Sequence, residues 1–375
     1  MTIKVPSVSR RSLFRGLSLA AGWAGSQSLF VKSAQAAVEA QKEWTGYTIC
    51  DSCNHVPQCG IKFHARGNTI IRIENWKENP RSILCSKGLS TLQRLYNPNR
   101  LLYPLKRTNP KGAADPGWVR ITWEEAYKTI AARMLEIRRT SGPNAVMFYA
   151  GDPKEPRPAI YRLARYFGST TYGTESSVGC RSGCMMAEKL NFGRPNNGGL
   201  PTPDTKVFMI MATNVWAQPL TWWKAIQAAK ARGCKIITID SRRTKAAEIA
   251  DIHLQPRIGT DAALVAGMMR VLIREGLYDK AFVEKWTYGF EAYREYCETF
   301  TPQYTKEITG VPAELVVEGA RLWAKGPGTF SLTTQSVSHN SNGVNNARAL
   351  LLLPIVMGYI DVKGGVAFPS GTKGL

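Results

Sequence analysis

Short, continuous apolar runs alternate along this chain with longer stretches of helical periodicity. Residues 146–149, 207–212 and 235–239 are too short for helices and too uniformly apolar for half-exposed strands. They are predicted to be strands buried on both faces. Residues 221–232 and 261–275 repeat their apolar positions every three to four residues and stop at Gly233 and Gly276, as helices do. An earlier helix is expected to start at Thr122-Trp123-Glu124-Glu125, which has capping-box spacing. Ala126, Ile130, Met134 and Ile137 would share one face of it, and Ser141-Gly142-Pro143 would end it. Strand and helix in alternation predict an α/β fold with a doubly covered, Rossmann-like parallel sheet. Such sheets bind ligands at the carboxyl ends of their strands, where Gly151, Asn214 and Asp240 fall here. Ordinary turns use the same three residue types.

The first hundred residues are organised differently. Residues 1–36 read as an export signal. Ser9-Arg10-Arg11-Ser12-Leu13-Phe14 is a twin-arginine element, a mildly apolar run covers 17–31, and Ala34-Gln35-Ala36 supplies a cleavage site. Gly22, Gly25, Ser26, Gln27 and Ser28 interrupt that run, which falls short of the ~20 apolar residues of a membrane span. The expected location is the periplasm, reached by a route that carries folded proteins with their cofactors in place. Residues 45–105 form a small, turn-rich module with a strand candidate at 69–73 set off by Gly67-Asn68. Pro98, Pro104 and Pro110 then mark a linker-like stretch before the α/β region, 106–375.

Chemistry enters with the cysteines of that module. Cys50, Cys53, Cys59 and Cys85 read C-x2-C-x5-C-x25-C, and the last opens Cys85-Ser86-Lys87-Gly88. Four thiolates so spaced suit an iron–sulfur cluster or a structural zinc. Of the remaining cysteines, Cys180 and Cys184 stand four residues apart, while Cys234 and Cys297 read as core residues. The formal charge is +21, of which the leader's Lys4, Arg10, Arg11, Arg15 and Lys32 supply five. No block of five like charges occurs, so the excess is spread over the surface. In an exported protein this fits anionic cofactors, an acidic partner or an anionic substrate better than nucleic acid.

Taken in order, these segments resemble the molybdopterin oxidoreductases of the dimethyl sulfoxide reductase type. The resemblance is carried by the cysteine array, Arg100-Leu101-Leu102-Tyr103-Pro104-Leu105, Ile121-Thr122-Trp123-Glu124-Glu125-Ala126 and Asp240-Ser241-Arg242-Arg243-Thr244. Gly259-Thr260-Asp261 and the segment from Gly358 to Gly365 extend it, so that it runs from about Thr45 to Gly365. It implies a [4Fe–4S] cluster on Cys50, Cys53, Cys59 and Cys85, with Lys87 between cluster and pterin. It also implies a molybdenum or tungsten bis(molybdopterin guanine dinucleotide), held by Gly151, Asn214, Asp240, Arg242, Thr260 and Asp261. Carboxylates would pair with guanine N–H donors, and arginine with the pyrophosphate. Cys180 takes the metal-ligand position, with Cys184 as a competitor, and Arg181 and His339 would orient an anion or pass protons.

The family pattern has three residues between the second and third cysteines; here there are five, Asn54 to Gln58, and His55 is an alternative ligand to Cys59. The leading expectation is two-electron oxygen- or sulfur-atom transfer on a thiosulfate, polysulfide or arsenate type of substrate. Electrons would pass through the cluster to an iron–sulfur partner subunit and a membrane anchor subunit. The stretch from Arg232 through Lys280 resembles the acetylene-hydratase branch, but that chemistry uses an Asp after the second cluster cysteine, where this chain has Asn54. Hydration therefore ranks second. A non-catalytic cluster-binding fragment is a third reading. The family continues well past the Gly364-Gly365 landmark, so this chain is expected to be a truncated product or half of a split enzyme.

Overall fold

The structure is a computed structural model that describes residues 42–52, 59–79, 83–151, 156–174, 180–194, 198–217, 220–332 and 334–368. Chain contacts divide it into two compact units, the first ending at Arg100 and the second continuing from Leu101. Residues 1–41, which include the expected export signal, lie outside the described residues, together with Cys53, Asn54 and His55.

The first unit is built on a three-stranded antiparallel meander of β1 (Glu43–Ile49), β2 (Gly60–Arg66) and β3 (Thr69–Asn75). Alternation sets its inner face: Ile61 and Ala65 of β2 are buried and Phe63 between them is half-buried. The Trp44 ring meets Phe63 edge to face, with centroids 5.3 Å apart. The β2–β3 turn needs a positive φ, which Gly67 supplies at 56°. Two short helices follow, α1 (Ser86–Leu89) and α2 (Thr91–Leu95).

In the second unit, β4 (Leu105–Arg107) and β5 (Trp118–Arg120) form an antiparallel hairpin. Helix α3 (Trp123–Ser141) is capped as its spacing predicts, with the Thr122 hydroxyl accepting from Glu125 N at 3.1 Å. Its apolar stripe is only partly covered: Ala126 is buried, Met134 and Ile137 are half-buried, and Ile130 is exposed. Strand β6 (Phe148–Ala150), helix α4 (Arg157–Phe167) and β7 (Tyr172–Thr174) make a β–α–β unit with parallel strands. Strand β6 does not join the main sheet, contrary to the sequence pattern.

Helix α5 (Ser182–Phe192) leads to the main sheet. Its strands are β8 (Val207–Met211), β9 (Lys235–Ile239), β10 (Ile252–Leu254) and β11 (Gly328–Leu332), all parallel, in the order β10-β9-β8-β11. Helix α6 (Leu220–Ala231) connects β8 to β9, and the short α7 (Lys245–Ile249) connects β9 to β10. Beyond β10 come α8 (Asp261–Arg274), α9 (Lys280–Trp286), α10 (Phe290–Glu298), α11 (Pro302–Thr309) and α12 (Ala313–Trp323). After β11 follow α13 (Thr334–Ser338) and α14 (Gly343–Val356).

The unbroken apolar run of β8 is explained by its two faces. Val207, Met209 and Met211 pack into one core with Cys184 of α5, Leu264 and Met268 of α8, and Leu350 of α14. Phe208 and Ile210 pack into another with Trp223 and Ile226 of α6. Burying each such side chain is worth about 1.5–3 kcal/mol, so neither helical layer can be dispensed with. Among the described residues, no helix is long and apolar enough to cross a membrane.

Candidate functional site

Three features are candidates for the site: two lie in the second unit, beginning where the main-sheet strands end, and one lies in the first unit. The first is a cavity of about 330 Å³ lined by Ala212, Asp240, Arg242, Arg257, Gly259 and Asp261, with Ser336 from α13 on its wall. Asp240 follows β9 directly, is buried, and accepts from the backbone N of Arg242 at 2.8 Å. Asp261 opens α8 and is also buried; burial pushes its carboxyl up, and a hydrogen bond from Asn346 Nδ2 at 3.2 Å partly offsets that. Asn346 also accepts from Ala262 N at 2.8 Å, holding the start of the helix. Ala212 closes β8 in a left-handed conformation, φ 51°, which a non-glycine residue adopts at a cost. Its carbonyl accepts from the Ser336 hydroxyl at 3.0 Å.

The expected cofactor contacts divide accordingly. Asp240, Arg242 and Asp261 come together around the cavity. Thr260 caps α8 and spends its hydroxyl on Arg257 O at 2.7 Å, while Asn214 lies in the turn after β8, its carbonyl accepting from Ala217 N. Gly151 is not at this edge: it follows β6, which pairs with β7 in a separate sheet. Ala212, Arg257, Ser336 and Asn346 were missed. A short Ala or Ser carries no sequence signal, and Arg257 lies in a loop whose approach only the fold defines.

The second feature is the turn holding Cys180. His339 Nε2 donates to the Cys180 carbonyl at 2.9 Å, and Gly183 packs so closely on Ser338 that an added Cβ would lie 3.2 Å from Ser338 Cβ. Helix α13 therefore connects the two features, with Ser336 on the cavity and Ser338 against the turn. Cys180 is half-buried, whereas Cys184 is enclosed within α5. Burial, reinforced by the Glu188 carboxylate, pushes the Cys184 thiol up to about 12. Arg181 reaches Glu188 at 3.0 Å, and its Nε is buried without a hydrogen-bond partner among the described residues.

The third is the cysteine array of the first unit. Cys50 N donates to Cys59 O at 2.8 Å, which sets these two side by side, and Cys59 Sγ donates to Ile83 O at 3.4 Å. Cys85 precedes α1, and an added Cβ on Gly88 would lie 3.3 Å from Cys50 Sγ. Glycine at 88 thus lets the Cys85 loop approach Cys50. Lys87 is exposed on the same short helix. Among the described residues no three His, Cys, Asp or Glu side chains converge as a ready metal site. Cys53 and His55, the remaining candidate ligands, lie outside them.

A thiol-rich module followed by a parallel α/β domain with a charged cavity and a thiol-bearing turn defines a protein that carries both a metal cluster and a nucleotide-like cofactor. The chain belongs to the molybdopterin oxidoreductase family. Residues 100–369 match that family and residues 45–97 match its Fe4S4 domain. Among its relatives, the thiosulfate reductase molybdopterin-containing subunit PhsA of Salmonella typhimurium is 27% identical, over 96% of this chain and 47% of its own length. Formate dehydrogenase H of Escherichia coli is 29% identical, over 83% and 44%. The solved structure of acetylene hydratase from Pelobacter acetylenicus superposes with a TM-score of 0.71 at 28% identity, covering 85% of this chain and 44% of that one. The chain thus spans about half the length of the curated relatives it matches.

The cofactors of this family are a molybdenum- or tungsten-pterin and a [4Fe–4S] cluster, and the residues present fit both. The cavity offers buried carboxylates for N–H donors and arginines for phosphate, the turn offers a soft sulfur ligand, and the glycine-backed cysteine loop leaves room beside Cys50.

Proposed function

We propose that the chain is the metal- and pterin-binding portion of an exported molybdopterin oxidoreductase acting on a small inorganic or sulfur oxyanion, of the thiosulfate, polysulfide or arsenate type. The observation that carries this reading is the Cys180 turn, joined through α13 to the acidic and basic cavity at the strand ends. When bound, the pterin-held metal supplies two-electron oxygen- or sulfur-atom transfer, and the cluster relays single electrons.

The chain's own residues do the rest. Asp240 and Asp261 accept from the guanine of the dinucleotide, and Arg242 neutralises its phosphates. Cys180 supplies the metal ligand. Arg181 keeps a buried Nε–H beside that ligand, and His339 fixes the ligand's backbone. Lys87 supports electron flow from Cys50, Cys53, Cys59 and Cys85. An iron–sulfur electron-transfer subunit and a membrane anchor subunit complete the electron path. The relative PhsA is described as a molybdopterin-containing subunit, which supports an assembly of this kind.

Anaerobically purified full chain, matured in the cytoplasm, tests the reading by elemental analysis, pterin detection and reduction assays with the three oxyanions. About four iron atoms and one molybdenum or tungsten per chain are expected. Zinc alone would sink it. Iron without molybdenum or tungsten would leave a cluster-binding fragment. The likeness to acetylene hydratase supports hydration as a second reading, which an acetylene-to-acetaldehyde assay on the same preparation separates. Export is tested by fractionation: Arg10→Lys with Arg11→Lys should retain the protein in the cytoplasm.

A further inference from the structure

One stripe of α5 carries a charge where a core residue is expected. Arg181, Cys184 and Glu188 recur at three- and four-residue spacing and so lie along one side of the helix. Glu188 is completely buried, a rare state for glutamate unless it is paired. Its partner is Arg181, whose Nη2 donates to Oε1 at 3.2 Å and to Oε2 at 3.0 Å. The Cys184 thiol donates to Oε1 of the same carboxylate at 3.5 Å. A single side chain two turns into the helix therefore ties down both the residue next to Cys180 and the second thiol.

Fold stability alone is a poor reason for this arrangement. A buried ion pair seldom outperforms apolar residues of equal volume, although breaking one partner is costly. What the pair does achieve is geometric. It holds the Arg181 side chain and the Cys184 thiol on one carboxylate, while His339 separately holds the Cys180 carbonyl.

We propose that Glu188 is a positioning residue that locks the 180–184 turn by anchoring Arg181 and Cys184 together, making the two cysteines unequal in accessibility. This role belongs to the polypeptide and needs no metal.

Thiol alkylation of the purified full chain, followed at each cysteine by mass spectrometry, tests it. Cys180 should react before Cys184. Cys184, Cys234 and Cys297 are all buried and react only through opening of the structure, so the last two report on the rest of the core. Glu188→Gln keeps the shape and removes the charge that holds Arg181. Removing the carboxylate also eases ionisation of the thiol, so rates are compared per thiolate from their pH dependence. On that scale Cys184 should accelerate about tenfold or more, the size of a lost charge-assisted bond, while Cys234 and Cys297 keep their rates. Equal acceleration of all three would reduce Glu188 to a general stabiliser and overturn the assignment, as would an unchanged Cys184. Should Glu188→Gln fold poorly, Arg181→Met with Glu188→Met replaces the pair by apolar volume. That variant should melt near the wild type and still expose Cys184; a protected Cys184 in it overturns the assignment. Labelling of metal-loaded chain separates the two ideas, because failure of metal to protect Cys180 counts against the proposed ligand and leaves the Glu188 result standing.

Discussion

His339 donates through Nε2 to the backbone carbonyl of Cys180 at 2.9 Å, joining positions 159 residues apart. A carbonyl only accepts, so Nε2 carries the proton and the imidazole acts on the backbone of the turn rather than on the sulfur. His339→Ala should cost about 1 kcal/mol, the net worth of one such bond, and lower the melting temperature by about 1–2 °C. Metal content should fall by a larger fraction than stability, because the lost bond lies beside the ligand. Calorimetry and elemental analysis on the same samples check both.

The two neighbouring thiols separate by substitution. Cys180→Ser is expected to abolish molybdenum or tungsten retention while iron stays, since the cluster cysteines belong to the other compact unit. Cys184→Ser places a hydroxyl in a closed environment against Glu188 and should cost stability, with metal retained. The reverse pattern in the metal analysis would move the ligand to Cys184.

Much of the scaffold was legible in the chain. The boundaries of β8, β9 and α8 fall within a residue or two of their patterns, because continuous apolar runs between helices admit few readings. Strand partners were not legible. The run ending in β6 looks like those of the main sheet, yet its neighbour is β7, a segment of Tyr, Gly and Thr with no apolar run. Strand β11 was hidden by Thr329 and Ser331, which are polar in sequence but buried in the fold. Glu188 escaped for the opposite reason. A glutamate inside a helix reads as a solvated face until the fold buries it against Arg181.

The cluster ligands are decided by iron content. Cys50→Ser, Cys59→Ser and Cys85→Ser should each lose most of the iron, whereas His55→Ala should keep it. Cys59 starts with an advantage, since its backbone pairing with Cys50 holds the two residues adjacent before any metal arrives. Iron lost from His55→Ala and kept in Cys59→Ser would exchange the two roles.

Acid should weaken the meander of the first unit through Glu74. The hydrogen bond from His64, those from Lys62 and Arg72, and the Arg72 charge together hold its carboxyl down at about 2, against 4.5 for a free side chain. A depressed carboxyl contributes stability that is complete above pH 4.5 and is lost as the pH falls through about 2. Protection of the β2 and β3 amides, taken relative to their intrinsic exchange rates, should therefore fall across that window in the wild type. Glu74→Gln should flatten the dependence and leave exchange at pH 7 faster than in the wild type.

Ala212 gives the sharpest test of the cavity. It lines the wall in a left-handed conformation, bonded to Ile239 O through its N–H at 2.7 Å and to Ser336 through its carbonyl. Glycine adopts this conformation freely, so Ala212→Gly relieves about 1 kcal/mol of strain while adding a similar unfolded-state cost. Its stability and its guanine nucleotide content, released by acid and quantified by chromatography, should match the wild type. Ala212→Val puts a branched side chain where the backbone tolerates it least, costing about 2–3 kcal/mol and narrowing the cavity. Nucleotide content should then fall at least about fivefold even in the fraction that remains folded, as a loss of 1 kcal/mol or more in binding requires. Full nucleotide content in folded Ala212→Val would mean that the dinucleotide lies elsewhere, and that Asp240 and Asp261 meet for structural reasons alone.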